Sequence, residues 1–345
     1  MGGNMNRSIA LRSAAFLVMV VMAATLVGCS TDQPGAAEGV IRVGMVFDVG
    51  GKGDKSFNDS AYRGLLHAAD QFAVEHTEFE PGQDADRETG LRKLAQAKYD
   101  VIIGVGFLFS DAMRKVAADY PDVKFACVDF DARPGEELAP NLAGLRFREE
   151  EGSFLVGVIA GLFSETDRIG FVGGMDIPLI HKFEAGYVAG AKYANPSVSV
   201  TVAYAGTTPQ AFADPAKGKE LALLQYGRGV DVVYHAAGST GNGVIEAARE
   251  VDRQAIGVDS NQNYMAPGNV LTSMVKRVDN AVFMAVKSVV DGEFQGGLRE
   301  FGLAEDGVGY AVDEYNEALL TEEMLAAVEE ARQDIIDGAV SVPRE

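Results

Sequence analysis

From residue 41 nearly to the end, short runs of β-branched and other apolar residues alternate with longer amphipathic stretches. That alternation restricts the chain to parallel α/β architecture, because each helix carries the chain back to lay the next strand beside the last. Runs at 41–47, 99–106, 123–128 and 141–147 read as strands. Ala61, Leu65, Ala68, Ala69 and Phe72 recur at helical spacing, and 110–120 reads as a helix that stops before Pro121. The pattern restarts at residue 168. Strands are expected at 168–172, 197–204, 230–235 and 254–258, with helices near 179–193, 215–226 and 236–251. One architecture occurring twice predicts two α/β lobes of similar size. A helix at 149–163 is too apolar for an exposed face and is expected to pack between the halves. Residues 270–276 read as a strand and 279–290 as a helix, which could complete either lobe; 307–315 and a helix at 321–338 close the chain. The expected partition places 40–147 with 270–296 in one lobe and 148–269 with 297–340 in the other.

Residues 1–29 stand outside this pattern. Arg7 and Arg12 precede an apolar run at 14–27, shorter than the ~20 residues a spanning helix needs, so the segment reads as a signal peptide. It ends in Leu26-Val27-Gly28-Cys29, which resembles a bacterial lipobox, in which the cysteine is lipidated and becomes the mature N-terminus. Residues 30–39, rich in small and polar types, read as a tether. The expectation is an exported protein held by the lipid on Cys29 to the cell membrane, on its periplasmic or outer face.

The formal charge of -20 falls to -22 once Arg7 and Arg12 leave with the leader. Such a balance argues against nucleic-acid binding, which needs basic surface. Cys127 is the only cysteine after Cys29 and lies in an apolar run, so it reads as a buried, inert strand thiol.

The stretch Val43 to Asn58 carries the densest chemistry. It leaves a strand at Asp48, turns through Gly50, Gly51 and Gly53, and enters a helix carrying Phe57 and Asn58. Ser56 with Asp59 three residues on reads as a capping box. In open α/β sheets, ligands bind beyond the carboxyl ends of the strands, where this stretch lies. A phosphate-loop reading fails, because no Gly-Lys-Ser/Thr closes the turn and Asp48 would repel a phosphate. Ala237-Gly238-Ser239-Thr240-Gly241 has the outline of a nucleophile elbow, but the last histidine is His235, so the hydrolase order of serine, acid and histidine is unavailable. The four histidines, His67, His76, His181 and His235, show no metal-ligand spacing. No cofactor and no metal is expected.

Phe57 and Phe183 each stand near a helix start after a glycine-rich turn, one in each half. Either alone would be a core residue; facing one cleft, the pair would suit a flat ligand between them. Asp48, Asp129 and Asp259 each end a strand, and Lys276 follows one. Three acids at strand ends in two lobes point to a shared polar site.

With those residues in place, the chain resembles the basic membrane protein family of bacterial lipoproteins. The likeness rests on Gly44-Met-Val-Phe-Asp48 with Asp54-Lys-Ser-Phe-Asn58, on Tyr99-Asp-Val-Ile-Ile-Gly-Val-Gly-Phe107, and on Tyr120-Pro-Asp-Val-Lys-Phe-Ala-Cys-Val-Asp129. Gly173-Gly-Met-Asp-Ile-Pro178, Phe183-Glu-Ala-Gly-Tyr187 and Gly257-Val-Asp259 extend it over nearly all of the mature chain. The turn from Gly50 to Lys55 is longer than in many members. The resemblance implies a type I periplasmic-binding-protein fold: two Rossmann-like lobes with parallel sheets, joined by a hinge. It further implies a non-enzymatic, extracytoplasmic substrate-binding protein that hands its ligand to the permease subunits of an ABC importer. In members that bind purine nucleosides the base lies between two phenylalanines, which match Phe57 and Phe183. Asp48, Asn58 and Asp129 match positions that bond the base and neighbouring groups. Asp259 and Lys276 match those that hold the ribose hydroxyls, with Gly238 close by. A sugar or other small polar metabolite in the same fold is the alternative.

Overall fold

The computed structural model describes residues 39–82 and 84–345. The leader, Cys29 and nearly all of the tether lie outside the described residues. The first lobe begins with β1 (Ile41–Val46), α1 (Phe57–Gln71), β2 (Val74–Phe79), α2 (Asp84–Gln96), β3 (Val101–Val105), α3 (Ser110–Asp119), β4 (Lys124–Val128) and β5 (Leu142–Phe147). The second follows with α4 (Glu149–Phe163), β6 (Arg168–Met175), α5 (Pro178–Ala194), β7 (Ser199–Gly206) and α6 (Pro215–Tyr226). It continues through β8 (Val232–Ala236), α7 (Thr240–Glu250), β9 (Gln254–Asp259) and β10 (Val270–Lys276). Then α8 (Val278–Val290) and β11 (Gly297–Phe301) return to the first lobe, while β12 (Val308–Tyr310) and α9 (Glu322–Ile336) belong to the second.

Each lobe is built on a six-stranded sheet, ordered β11-β5-β4-β3-β1-β2 in the first and β12-β10-β9-β8-β6-β7 in the second. All pairings are parallel except β10 with β12. The α/β class and the two-lobed, periplasmic-binding-type architecture are therefore as expected. No helix among the described residues is long and apolar enough to cross a membrane.

The partition of the last third differs from expectation. Residues 270–276 were expected in the first lobe, yet β10 pairs in parallel with β9 in the second sheet, running from Val270 opposite Ala255 to Val275 opposite Asp259. Its nearly continuous burial is that of a strand covered on both faces, and the chain crosses only after Lys276. Residues 297–301 were expected in the second lobe, but β11 adds to β5 at the edge of the first sheet. The chain thus crosses three times, between β5 and α4, β10 and α8, and β11 and β12. Arg148 N–H donates to the Phe301 carbonyl at 3.0 Å and Arg277 N–H to the Gly307 carbonyl at 2.8 Å, so the three crossings are tied side by side.

Two further expectations are corrected. Helix α4 does not separate the lobes; it packs against α5, α9, β10 and β12 in the second. Its burial follows from glycines that bring α4 and α5 into backbone contact. The start of α1 is not held by a capping box. Ser56 makes no side-chain cap, and the buried carboxylate of Asp54 instead accepts from the backbone N–H groups of Ser56 (2.9 Å), Asn58 (2.8 Å) and Asp59 (3.1 Å). Asp59 reaches back to accept from Gly53 and Lys55 N–H, which closes the glycine-rich turn onto the helix.

The α4–α5 contact makes a testable demand. A Cβ on Gly190 would lie 2.0 Å from the Phe154 carbonyl oxygen. Gly190→Ala must push the helices apart, and its urea midpoint should fall by the equivalent of about 1–3 kcal/mol. An unchanged midpoint would contradict so close an approach.

Candidate functional site

The carboxyl ends of the two sheets face each other across a cleft, and the central cavity there is lined from both lobes. Asp48, Phe57, Asn58, Asp129, Phe183, Gly238, Asp259 and Lys276 all border it. They form one narrow, largely apolar space between the lobes, joined there by Phe107, Leu179, Ile180 and Phe212.

Asp48 sits one residue past β1 and leaves the sheet beside Gly106. Gly106 has φ 108, and a Cβ there would lie 2.1 Å from an Asp48 carboxylate oxygen, so only glycine lets this carboxylate settle against the end of β3. The Asp48 side chain accepts from Val49 N–H at 2.7 Å, and the Arg87 guanidinium stands 3.9 Å away. Asn58 lines the cavity but is already engaged. Its side-chain oxygen accepts from Asp48 N–H at 3.0 Å, and its amide donates to Asp54 at 3.1 Å and to the Val49 carbonyl at 3.4 Å. Its visible work is to fix the exit of β1 against α1.

Lys276, at the end of β10, is 1% exposed. Its ammonium lies 2.7 Å from both oxygens of Asp129 and 3.0 Å from Glu149. The same ammonium stands 5.2 Å from the ring centre of Phe57, 5.5 Å from that of Phe183 and 5.0 Å from that of Phe147. One cation is therefore shared by rings of both lobes, at distances where a ring face attracts positive charge. Lys182 continues the network by donating to Glu149 and to the Phe147 carbonyl.

Burial alone would lower the Lys276 pKa, but Asp129, Glu149 and Asp259 together hold it above its ordinary value. For Asp129 burial wins over Lys276, and its carboxyl is raised. In Glu149, burial is outweighed by Lys276 and Lys182, so its carboxyl lies below the ordinary range. Burial pushes Asp48 up to about 7 against the pull of Val49 N–H and Arg87. Asp259 is likewise pushed up to about 7 by burial, against Lys276 and Ser56.

The lobes touch around this cavity. The Ser56 hydroxyl approaches Asp259 at 2.8 Å, Ser260 donates to the Ser56 carbonyl at 2.7 Å, and Arg63 donates to Ser260 at 3.0 Å. Gln262 donates to the Lys55 carbonyl and Asn242 to the Asp54 carbonyl, both at 3.2 Å. The arrangement is a closed one.

Several contributors escaped the sequence reading. Phe107 and Phe212, each in a short 3₁₀ turn, meet edge to face across the lobes at 6.4 Å between centres. Leu179 and Ile180 come from the first turn of α5, and Asp54 from the glycine-rich turn. The Asp54-Lys-Ser-Phe-Asn run was a signal for Asp54; the two phenylalanines had no periodic neighbours to mark them. Ser239 donates to the Phe212 carbonyl at 3.1 Å, and the buried His235 pairs with Gln262, its imidazole pushed down to about 4 by burial. Serine and histidine are thus not coupled. Gly238, with φ 55, makes the turn before α7. His67 stacks on Phe283, and Cys127 is fully buried in β4, where burial raises its thiol pKa.

Comparison with known proteins places this geometry in company. The family model described as Bmp, ABC transporter substrate-binding protein PnrA-like, matches residues 41–345. The chain is 38% identical over 325 residues to a CD4+ T-cell-stimulating antigen of Listeria monocytogenes, with 87% of each chain covered. It is 40% identical over 308 residues to an uncharacterized lipoprotein of Pyrococcus abyssi, covering 85% of this chain and 74% of that one. A solved ABC transporter solute-binding protein from Aeropyrum pernix matches with a TM-score of 0.81 at 33% identity, over 88% of this chain and 94% of the other.

The raised carboxyls make closure sensitive to pH. Asp48 and Asp259, which face the cavity from opposite lobes, rise from an ordinary 3.8 to about 7. The closed form therefore holds protons that the solvated carboxylates have lost, and its stability falls as pH climbs from about 4 to about 7. In ligand-free protein, the radius of gyration by small-angle scattering should be larger near pH 8 than near pH 5. Asp48→Asn with Asp259→Asn should flatten that change. A radius that shrinks as pH rises would contradict the assignment.

Proposed function

The chain belongs to the PnrA-like (Bmp) family of ABC transporter substrate-binding proteins, and from that premise we propose that its cleft captures a nucleoside, most readily a purine nucleoside. The ligand is enclosed by closure of the lobes and delivered to the permease subunits of the importer. Export and a lipid on Cys29 would hold the protein at the membrane where that permease lies.

The observation that carries this reading is the pairing of Phe57 and Phe183, from opposite lobes, around the single buried ammonium of Lys276. A base between two rings gains about 1–3 kcal/mol per stack. Asp48, Asp129 and Asp259 supply acceptors for base N–H groups and for ribose hydroxyls, and each is held in place by the protein before any ligand arrives. A neutral ligand rich in donors suits this wall. Asn58, with its amide spent on Asp54 and Val49, contributes by positioning Asp48. With Ser239 bonded to a carbonyl and His235 to Gln262, the cavity offers capture rather than hydrolysis.

Isothermal titration with adenosine, guanosine, inosine, uridine and free ribose tests the ligand class. Purine nucleosides should bind more tightly than uridine, and ribose weakly. Phe57→Ala and Phe183→Ala should each cost about 1–3 kcal/mol of binding. A sugar site would instead show effective competition by ribose and a small effect of both substitutions. Absence of heat with every nucleoside would overturn the proposal.

A further inference from the structure

A second pocket, open to solvent, adjoins the central cavity, and the two share Phe107, Asp129 and Leu179 as lining. This chamber is also walled from both lobes, by Phe130 of the first and Ile177 of the second among others, so it too forms when the lobes close.

Most of its charges are settled. Asp129 and Glu149 are neutralised by Lys276 and Lys182. Arg344 is 2.7 Å from Glu150 and 3.4 Å from Glu300. Arg146 is different. It lies on β5, half-buried against the chamber, and among the described residues it makes no hydrogen bond, ion pair or ring contact. Glu300, opposite it on β11, is taken up by Arg148 and Arg344. In a chain with 50 acids and 30 bases, a half-buried guanidinium with no carboxylate beside it is unusual, and it is free to receive an anion from outside the protein. The remaining acids of the chamber, Asp131 and Glu345, are exposed to solvent. The amino end of α5 borders the same space with no acidic residue in its first turn and no side-chain cap, which adds positive potential there.

We propose that the second chamber is an anion subsite, in which Arg146 receives a carboxylate or phosphate tethered to the ligand held in the central cavity. The guanidinium fork suits either group. The proposal rests on the nucleoside reading of the central cavity and enlarges the substrate class to nucleosides that carry an acidic arm. An anion placed there is separated from Asp48 and Asp259, which line only the central cavity of the two.

Titration of the full chain with four kinds of probe tests it: adenosine; adenosine bearing a succinyl group on its exocyclic amine; adenosine 5′-monophosphate; and free succinate and inorganic phosphate. At least one tethered anion should bind about 10-fold or more tightly than adenosine. Which one does so shows whether the arm leaves from the base or from the sugar. In Arg146→Ala that preference should collapse to parity. Arg146→Gln, which keeps a long polar side chain on the strand, should do the same and guards against misfolding. A preference that survives both substitutions, or none at all in the native protein, overturns the subsite while adenosine binding keeps the nucleoside reading intact. Free succinate or phosphate binding with no tethered advantage overturns it as well. No heat with adenosine or either derivative overturns both.

Discussion

Burying the Lys276 ammonium is the constraint on which the rest of the site depends. Removing such an ion from water costs several kcal/mol, and only close carboxylates offset that cost. Those carboxylates come from different parts of the chain: Asp129 from the end of β4, Glu149 from the first crossing, while Lys276 itself begins the second. The ion cluster is therefore complete only when the first lobe, the second lobe and the hinge adopt this arrangement together. The same cation draws in the faces of Phe57, Phe147 and Phe183, so charge and aromatic walls are fixed by one group. Loss of one partner from so buried a cluster is commonly worth about 3–5 kcal/mol, because it strands the others without compensation.

The site also reflects the repetition of one architecture. Asp129 and Asp259 end β4 and β9, which lie beside β5 and β10, the strands at the first two crossings. Both adopt left-handed backbone, with φ 56 and 64. Aspartate tolerates that conformation better than most residues, yet it carries a cost that surrounding structure must sustain. Each lobe thus turns its chain sharply at the same topological point and leaves a carboxylate on the cavity wall. Both carboxylates border the one cavity that Lys276, Phe57 and Phe183 also line, and both act on the charge of Lys276. Ser56, from the first lobe, completes the arrangement by bonding to Asp259 of the second.

Much of this was legible in the sequence, and the parts that were not share a cause. The alternation of apolar runs marked the buried strands because both their faces are covered, and glycine turns after strands pointed to the mouth. All eight expected cavity residues line one space. Elements with weak apolar pattern were missed: β2 and β11 are largely half-exposed edge strands, and α2 is a polar helix. Ser56 with Asp59 satisfied a local capping pattern, but tertiary contacts drew Ser56 to Asp259 and left the cap to Asp54. The late crossing after β10 depends on strand pairing that adjacent sequence does not encode. Asn58 shows the same limit, because its position was legible whereas the engagement of its amide required the folded turn.

Two aromatic rings, a buried cation and carboxylates from both lobes meet at one cavity, and the proposed ligand for them is a nucleoside. The most direct measurement is the mass of whatever small molecule the native protein carries through purification, released by denaturation and read by mass spectrometry. A purine nucleoside, with or without an acidic arm, is the expected molecule. Recovery of a sugar, an amino acid or another molecule without a stacking ring would contradict it.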